Sequence, residues 1–375
     1  MDDEARTPSG LDPAQRREPK GRPPWGRRWP PRHPSPDGGA SRDYARPAYA
    51  ALDLGTNNCR LLVARPAREG FRVIDAFSRI IRLGEGMAAS GRLGEAAIGR
   101  AIEALSICRD KMRNRSVTRA RLIATEACRS AANGAEFRER VEREVGLELE
   151  IVDRETEAEL AAIGCTPLMD PAAEGVILFD IGGGSSEIVR LGRSYPASGG
   201  PPVPQIRGWA SLPLGVVSLA ERYGGVKVDH ALYEAMTEEV QAHVRRFADE
   251  YCTGLDLNAI HLLGTSGTVT TIAGLHLRLK RYDRRQVDGC WMADSQVQAV
   301  LDELRAMGYD ERVASPCIGA ERADLVLAGC AILEAIRRVF PCTRLRVADR
   351  GLREGMLVEM MRADNVWASG HGHAS

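Results

Sequence analysis

Two stretches of the sequence read alike: YAALDLGTNNCRLLVA (49–64) and VILFDIGGGSSEIVRL (176–191). Each runs through an apolar segment, an aspartate, an aliphatic residue, glycine, a small polar turn and a second apolar segment. Short apolar runs bounded by turn residues are the signal of buried strands. A strand, a glycine turn and a returning strand form an antiparallel hairpin. The two aspartates, Asp53 and Asp180, lie 127 positions apart (180 − 53). A repeat at that distance is too long for a solenoid unit and points to two related domains.

Working outward, FRVIDAFSRIIRL (71–83) extends the first hairpin with a third strand. Ile98, Ile102, Leu105 and Met112 recur at helical spacing within 95–115. A strand at 121–125, a helix at 135–145, a short strand at 147–152 and a helix at 155–165 follow. After the second hairpin come a strand at 205–214, helices at 215–223 and 229–250, and a strand at 259–264 running into a helix. Helices at 293–306 and 321–339, a strand at 343–347 and a helix at 351–362 complete the reading. Strands alternating with helices give an α/β fold in layers. The expected division is 48–155 for the first domain and 156–350 for the second. A last helix in 351–366 returns to the first domain.

The composition narrows the function. Lys+Arg and Asp+Glu are both 51, so the chain has no bulk positive charge with which to hold nucleic acid. No apolar run approaches the ~18 residues that span a bilayer, so no membrane partner is expected. Nine cysteines, with no C-x-x-C pair, fit reduced buried thiols in a cytoplasmic protein. The seven histidines show no metal-ligand spacing. Residues 1–47 hold ten of the twenty prolines, ten Arg/Lys and seven Asp/Glu. With few aliphatic residues to bury, that segment reads as a disordered tail, as does 367–375. The tail has no apolar core of a secretory signal. Its Arg, Trp25 and Trp29 are a weak candidate contact for polyanions.

The chemistry concentrates where strands end in glycine turns. DLGTNN (53–58), DIGGGSS (180–186), GTSGT (264–268) and ADRGLR (348–353) all follow apolar strands. Glycine allows positive φ and lets backbone N–H groups approach an anion closely. A carboxylate at the start of each turn would repel a bare phosphate, but it suits a divalent metal or a held water. Two such turns, one per domain, would grip a phosphate chain in an interdomain cleft. There is no G-x-x-x-x-G-K-[ST] loop, and a strand rather than a helix follows IGGGSS, so neither a Walker A nor a dinucleotide fingerprint is present.

The pair DLGTNN and DIGGGSS resembles the two phosphate loops of the actin, sugar-kinase and Hsp70 superfamily. RLGEGM (82–87), ATEACRSAANGAEF (124–137), DRETEAEL (153–160), GTSGTVTTIAG (264–274), GAERADLVLAG (319–329) and DRGLREGM (349–356) narrow the resemblance to the exopolyphosphatase/guanosine pentaphosphate phosphatase (Ppx/GppA) family. They stand in that family's order from about 48 to 362. The resemblance implies two ribonuclease-H-like domains around a cleft. It also implies a hydrolase releasing the terminal phosphate of polyphosphate or the 5′ γ-phosphate of pppGpp.

The resemblance assigns residues as well. Glu157 matches the general base, although Asp153-Arg154 stands where Ser-Gly is usual and Thr156 where a first Glu is usual; Glu155 and Glu159 flank it. Arg129 matches an arginine near the cleaved phosphate. Asp53, Gly55, Thr56 and Asn57 match the first phosphate loop, and Asp180, Gly182, Gly183, Gly184 and Ser185 the second. Asp180 and Glu187 are the expected Mg²⁺ holders. GTSGT matches an adenosine-contacting loop of superfamily ATPases and is left outside the phosphate set. Asp349 and Arg353 are expected only to tie the last helix to the core. The Arg/Lys run at 278–285 is a candidate cationic rim.

Longer family members add a C-terminal helical region, and this sequence ends at Ser375 soon after its last expected helix. The expectation is a preference for short chains or pppGpp-like ends, and a homodimer by analogy. Two other readings stand open from sequence: a superfamily kinase or ATPase, and a non-catalytic sensor of polyphosphate or (p)ppGpp.

Overall fold

A computed structural model of the protein describes residues 47–68, 70–195 and 203–367. The expected tails, with Trp25 and Trp29, lie almost wholly outside the described residues. No helix among these residues is long and apolar enough to cross a membrane. All nine cysteines are free thiols, and only Cys290 is not fully buried.

The first sheet contains β1 (Ala48–Leu54), β2 (Asn58–Pro66), β3 (Phe71–Ile80), β4 (Val117–Ala124) and β5 (Glu150–Ile151), in the order β3-β2-β1-β4-β5. β1, β2 and β3 form an antiparallel meander, whereas β4 and β5 run parallel to β1. Parallel neighbours need crossovers. The first carries α1 (Met87–Ser90) and α2 (Glu95–Asn114), the second α3 (Glu126–Ser130) and α4 (Gly134–Val145). Leu105, Cys108 and Met112 of α2 and Phe137 and Val141 of α4 pack on Leu52, Leu61 and Leu122.

Helix α5 (Arg154–Cys165) leads to the second sheet. Its strands are β6 (Gly175–Ile181), β7 (Ser186–Ser194), β8 (Val203–Leu212), β9 (Ile260–Thr265), β10 (Trp291–Ala293) and β11 (Arg344–Ala348). Their order is β10-β11-β9-β6-β7-β8. The shared core repeats: an antiparallel three-strand meander whose first strand has a parallel neighbour on its other side. The connections hold α6 (Val216–Tyr223), α7 (His230–Tyr251), α8 (Ser266–His276), α9 (Arg284–Val287), α10 (Asp294–Ala306), α11 (Tyr309–Ala314) and α12 (Val326–Val339).

The last helix, α13 (Leu352–Ala363), packs Met356, Leu357, Met360 and Met361 on Tyr49, Ala51 and Leu62 of the first sheet. It also crosses α5 at backbone distance. A Cβ on Gly164 would sit 2.1 Å from the Gly351 carbonyl oxygen, and one on Gly355 would sit 2.0 Å from that of Leu160. That crossing, at Leu160 and Gly164, anchors α5, which carries Glu157 in its first turn and packs against both sheets.

Several elements differ from the sequence reading. The third strand stops at Ile80, because the Ile81 and Arg82 N–H groups turn to donate to the Asn57 carbonyl. The strand at 147–152 shrinks to two residues. The helix at 321–339 begins only at Val326. Residues 319–325 form turns pinned by Arg312, a fully buried guanidinium donating to the carbonyls of Gly225, Val226 and Ala323. The short β10 has too few residues to show a period of two.

Candidate functional site

Both hairpin turns are held by their carbonyls. In the first, Gly84 N–H donates to Thr56 O at 2.9 Å, and Ile81 and Arg82 donate to Asn57 O. In the second, the first N–H groups of α6 do the same: Val216 donates to Gly182 O at 3.0 Å and Val217 to Gly183 O at 2.8 Å. Among the described residues, the N–H groups of Gly182 to Ser185 donate to no backbone carbonyl within the turns. They are the free donors that an anion needs.

None of the four loop glycines at 55, 182, 183 and 184 has positive φ, so the conformational reason expected from sequence does not apply. The reason in the second loop is space. A Cβ on Gly183 would lie 2.9 Å from Thr56 Cβ, and one on Gly184 would lie 2.8 Å from Thr56 Oγ1 and 3.1 Å from Glu126 Cγ. The two loops therefore touch across the cleft. Arg82 adds a clasp, binding Asp324 in bidentate fashion at 2.9 Å and 2.9 Å, and Gly86 N–H donates to Glu221 Oε1.

The cleft between the loops is lined by Asp53, Gly55, Thr56, Asn57, Glu157, Asp180, Gly182, Gly183, Gly184, Ser185 and Glu187. Every expected site residue except Arg129 is in that lining. Glu155 and Glu159 are exposed, whereas the Glu157 side chain is only 15% exposed. Arg129 sits behind Glu157. Its guanidinium donates to Glu157 Oε2 at 3.2 Å, to Glu126 Oε2 at 2.6 Å and to the Val152 carbonyl at 2.6 Å. It orients the carboxylate rather than facing the cavity.

The carboxylates crowd one another. Burial, then repulsion from Asp53, pushes Asp180 up to about 6, against the pull of Arg60 and Arg353. Burial, then Asp180, pushes Glu187 up to about 7, although Ser185 and Ser211 hydroxyls donate to its Oε1 at 2.8 Å and 2.9 Å. Burial, then Glu187, raises Glu157 well above the ordinary glutamate range, and Arg129 opposes this. Asp53 is also raised by burial and held down by Arg60 and Arg353. Arg353 thus bears on the charge of both loop aspartates.

The lining contains residues outside the expected set. Arg60, Thr125, Glu126, Ser266, Gly267, Thr268 and Arg322 are among them. Ser266 has φ +91°, and its Oγ, like the Oδ1 atoms of Asn57 and Asn58, is buried without a partner. Polar atoms left so are costly unless a ligand or water completes them. Arg60 was legible from the repeat, since it stands seven residues after Asp53 as Glu187 stands seven after Asp180. Arg322 carried no such signal, because the sequence placed it inside a helix.

Comparison with known proteins settles the family. The sequence profile of the Ppx/GppA phosphatase family matches residues 62–364, most of the chain. The protein belongs to the Ppx/GppA phosphatase family. This Ppx/GppA chain is 27% identical over 317 residues to the guanosine-5′-triphosphate,3′-diphosphate pyrophosphatase of Aeromonas salmonicida. The match covers 84% of this chain and 60% of that relative, so the chain spans well under two thirds of it. It is 29% identical to exopolyphosphatase 2 of Mycobacterium tuberculosis, covering 83% of this chain and 98% of the relative. The crystal structure of the Aquifex aeolicus Ppx/GppA family member is 29% identical, with a TM-score of 0.69, covering 85% of this chain and 99% of that one. The exopolyphosphatase of Cytophaga hutchinsonii, 22% identical over 84% of this chain and 98% of its own with a TM-score of 0.75, shares the fold. These likenesses agree with the two-domain α/β architecture expected of the actin-like superfamily.

Proposed function

We propose that the protein hydrolyses a terminal phosphoanhydride, releasing the last phosphate of inorganic polyphosphate or the 5′ γ-phosphate of pppGpp. The carrying observation is Glu157: a mostly buried carboxylate, held by Arg129, in the lining shared by both glycine loops. The glycine-loop N–H groups bind and orient the phosphate chain. Glu157, raised well above the ordinary glutamate range by burial, takes the proton from a water placed in line with phosphorus. Arg129 holds Glu157 in place and favours its charged form. In this reading water attacks phosphorus directly, with no covalent intermediate.

The donor set fits a divalent cation. Asp53, Asp180, Glu187 and Glu157 share one cleft; burial raises all four, and repulsion within the group adds to it at Asp180, Glu187 and Glu157. Among the described residues no three His, Cys, Asp or Glu side chains close into a metal cage. Mg²⁺ keeps several of its waters and is held by one or two protein carboxylates. Asp180 and Glu187, paired across β6 and β7, would hold it. When bound, Mg²⁺ supplies charge neutralisation to the leaving phosphate oxygens.

The placement of Ser266, Gly267 and Thr268 in the lining favours one second reading, a superfamily ATPase or kinase. One assay separates the two: phosphate release with Mg²⁺ from tripolyphosphate, long polyphosphate, pppGpp and ATP, comparing wild type with Glu157→Gln. The hydrolase reading expects release from polyphosphate or pppGpp and a loss of about 10²–10⁴-fold in the variant. Release confined to ATP, or undiminished release by Glu157→Gln, overturns it.

A further inference from the structure

The cleft has two unlike ends. Glu126, Glu157 and Glu187 gather at one, where the attacking water belongs. At the other, Arg60 and Arg322 converge on the first turn of α8: a Cβ on Gly267 would lie 3.9 Å from Arg60 Nη2 and 4.0 Å from Arg322 Cζ. A chain whose terminal phosphate sits by Glu157 therefore extends towards Arg60. Just past that end lies a feature that hydrolysis itself does not use. Thr270, one turn into α8, donates to Ser266 O at 2.8 Å and to Gly267 O at 3.2 Å. The Tyr282 hydroxyl donates to Asp349 Oδ2 at 2.6 Å, and Asp349 in turn feels the charges of Arg284, Arg353 and Arg60. Asp349 stands two residues before Gly351, where a Cβ would lie 3.9 Å from Asp180 Oδ2, so Tyr282 is anchored to the turn that adjoins the floor of the cleft.

Its ring, by contrast, is open. Tyr282 is 40% exposed, one of five large apolar-bodied side chains left so among the described residues. Its loop is clamped at the base, where Arg284 donates to Glu354 Oε1 at 2.7 Å and also to the Asp349 carbonyl. Lys280, Arg281 and Arg285, within three residues of Tyr282 in the same loop, are exposed. The opposing carboxylates are few. Asp283 caps α9 and lies 3.6 Å from Arg285, while Glu303 is taken by Arg278.

We propose that the 279–286 loop is a nucleoside subsite: the Tyr282 ring stacks on a purine base, and Lys280, Arg281 and Arg285 receive the diphosphate on its 3′ side. Inorganic polyphosphate has no π face, so an aromatic ring with a fixed hydroxyl adds nothing to its binding. A purine gains from a platform whose orientation is set in advance. The inference rests on the hydrolase reading and deepens it, because it makes a guanosine-bearing triphosphate end the preferred substrate.

The test uses the full chain with Mg²⁺ and compares kcat/KM for pppGpp with that for tripolyphosphate. Tyr282→Ala is expected to lower the pppGpp-to-tripolyphosphate ratio about tenfold, the size of one lost base stack. Tyr282→Phe keeps the ring and is expected to hold the ratio within about twofold of wild type. Lys280→Glu/Arg281→Glu is expected to lower the ratio too, with an effect that shrinks in high salt. A wild-type ratio in Tyr282→Ala, or a parallel fall for both substrates, overturns the subsite. If wild type cleaves neither substrate, the hydrolase reading has failed and direct binding of ppGpp decides the subsite. Weaker binding by Tyr282→Ala upholds it, and equal binding overturns it.

Discussion

The two hairpins share backbone and differ in charge. Asp53 pairs with Arg60 across β1 and β2, and Asp180 pairs with Glu187 across β6 and β7, at the same register in each. Each turn is held by its carbonyls, through residues 81–84 in one and the start of α6 in the other. The first hairpin carries its own counter-charge. The second sets carboxylate against carboxylate: burial raises Asp180 and Glu187 to about 6 and about 7, with repulsion from Asp53 added at Asp180 and from Asp180 at Glu187. A fold built twice has thus kept its geometry and divided its charge: one turn faces its aspartate with an arginine, the other faces its aspartate with a glutamate.

The largest way to break this comparison is to remove the imbalance. The native Asp180 and Glu187 keep their protons to about pH 6 and 7, while unfolded carboxylates release theirs near 4. Between those values the native state binds more protons. The metal-free protein is therefore most stable below about pH 4 as far as these groups are concerned, and loses a few kcal/mol as pH rises through 7. Thermal unfolding in EDTA at stepped pH should show that slope, and Mg²⁺ should offset it near pH 8. Glu187→Gln should flatten the slope and cut Mg²⁺-dependent phosphate release about 10–100-fold. A slope unchanged in Glu187→Gln would mean that the second hairpin is not charge-deficient.

Much of this was legible in sequence, because the repeat is written in strand and turn chemistry. The two Asp-aliphatic-Gly turns placed Asp53 and Asp180 correctly and gave both antiparallel hairpins. The same repeat pointed to Arg60, which becomes visible only when 53–60 is aligned with 180–187 position by position. Other parts were set by tertiary contact and left no local trace. Arg322 and Asp324 lie in turns that Arg312 stabilises from the interior, where helical propensity alone extends α12 too far. Arg129 has the residue type of a phosphate ligand, but two carboxylates and a carbonyl already occupy it.

The glycines sharpen the comparison at a smaller scale. A Cβ on Gly55 would meet nothing closer than 3.6 Å, whereas on Gly183 it would press within 2.9 Å of Thr56 and 3.2 Å of the Asn57 nitrogen. Gly183→Ala should cost about 1–3 kcal/mol, since backbone and a short side chain must move. Gly55→Ala should change stability by under about 1 kcal/mol and act on substrate KM, because the space it fills faces the cleft. Equal losses of stability in denaturant titrations of the two variants would mean that the loops do not meet as described.

The smallest expected effect concerns what keeps the halves together around the cleft. Arg82 stands at φ +46°, a conformation a non-glycine residue adopts at a cost, and its guanidinium reaches Asp324 with both nitrogens. The pair is partly exposed, 31% for Arg82 and 24% for Asp324, which limits its worth to about 1 kcal/mol. That is about a fivefold effect on any step requiring the two loops to close. Arg82→Ala should raise KM for the phosphate chain by a few-fold with kcat little changed, because the residue touches neither Glu157 nor the second loop. High salt should narrow the gap between variant and wild type, since it screens the pair in the latter. A fall in kcat at constant KM would instead place the clasp on the chemical step, and would tie closure to the alignment of water with Glu157.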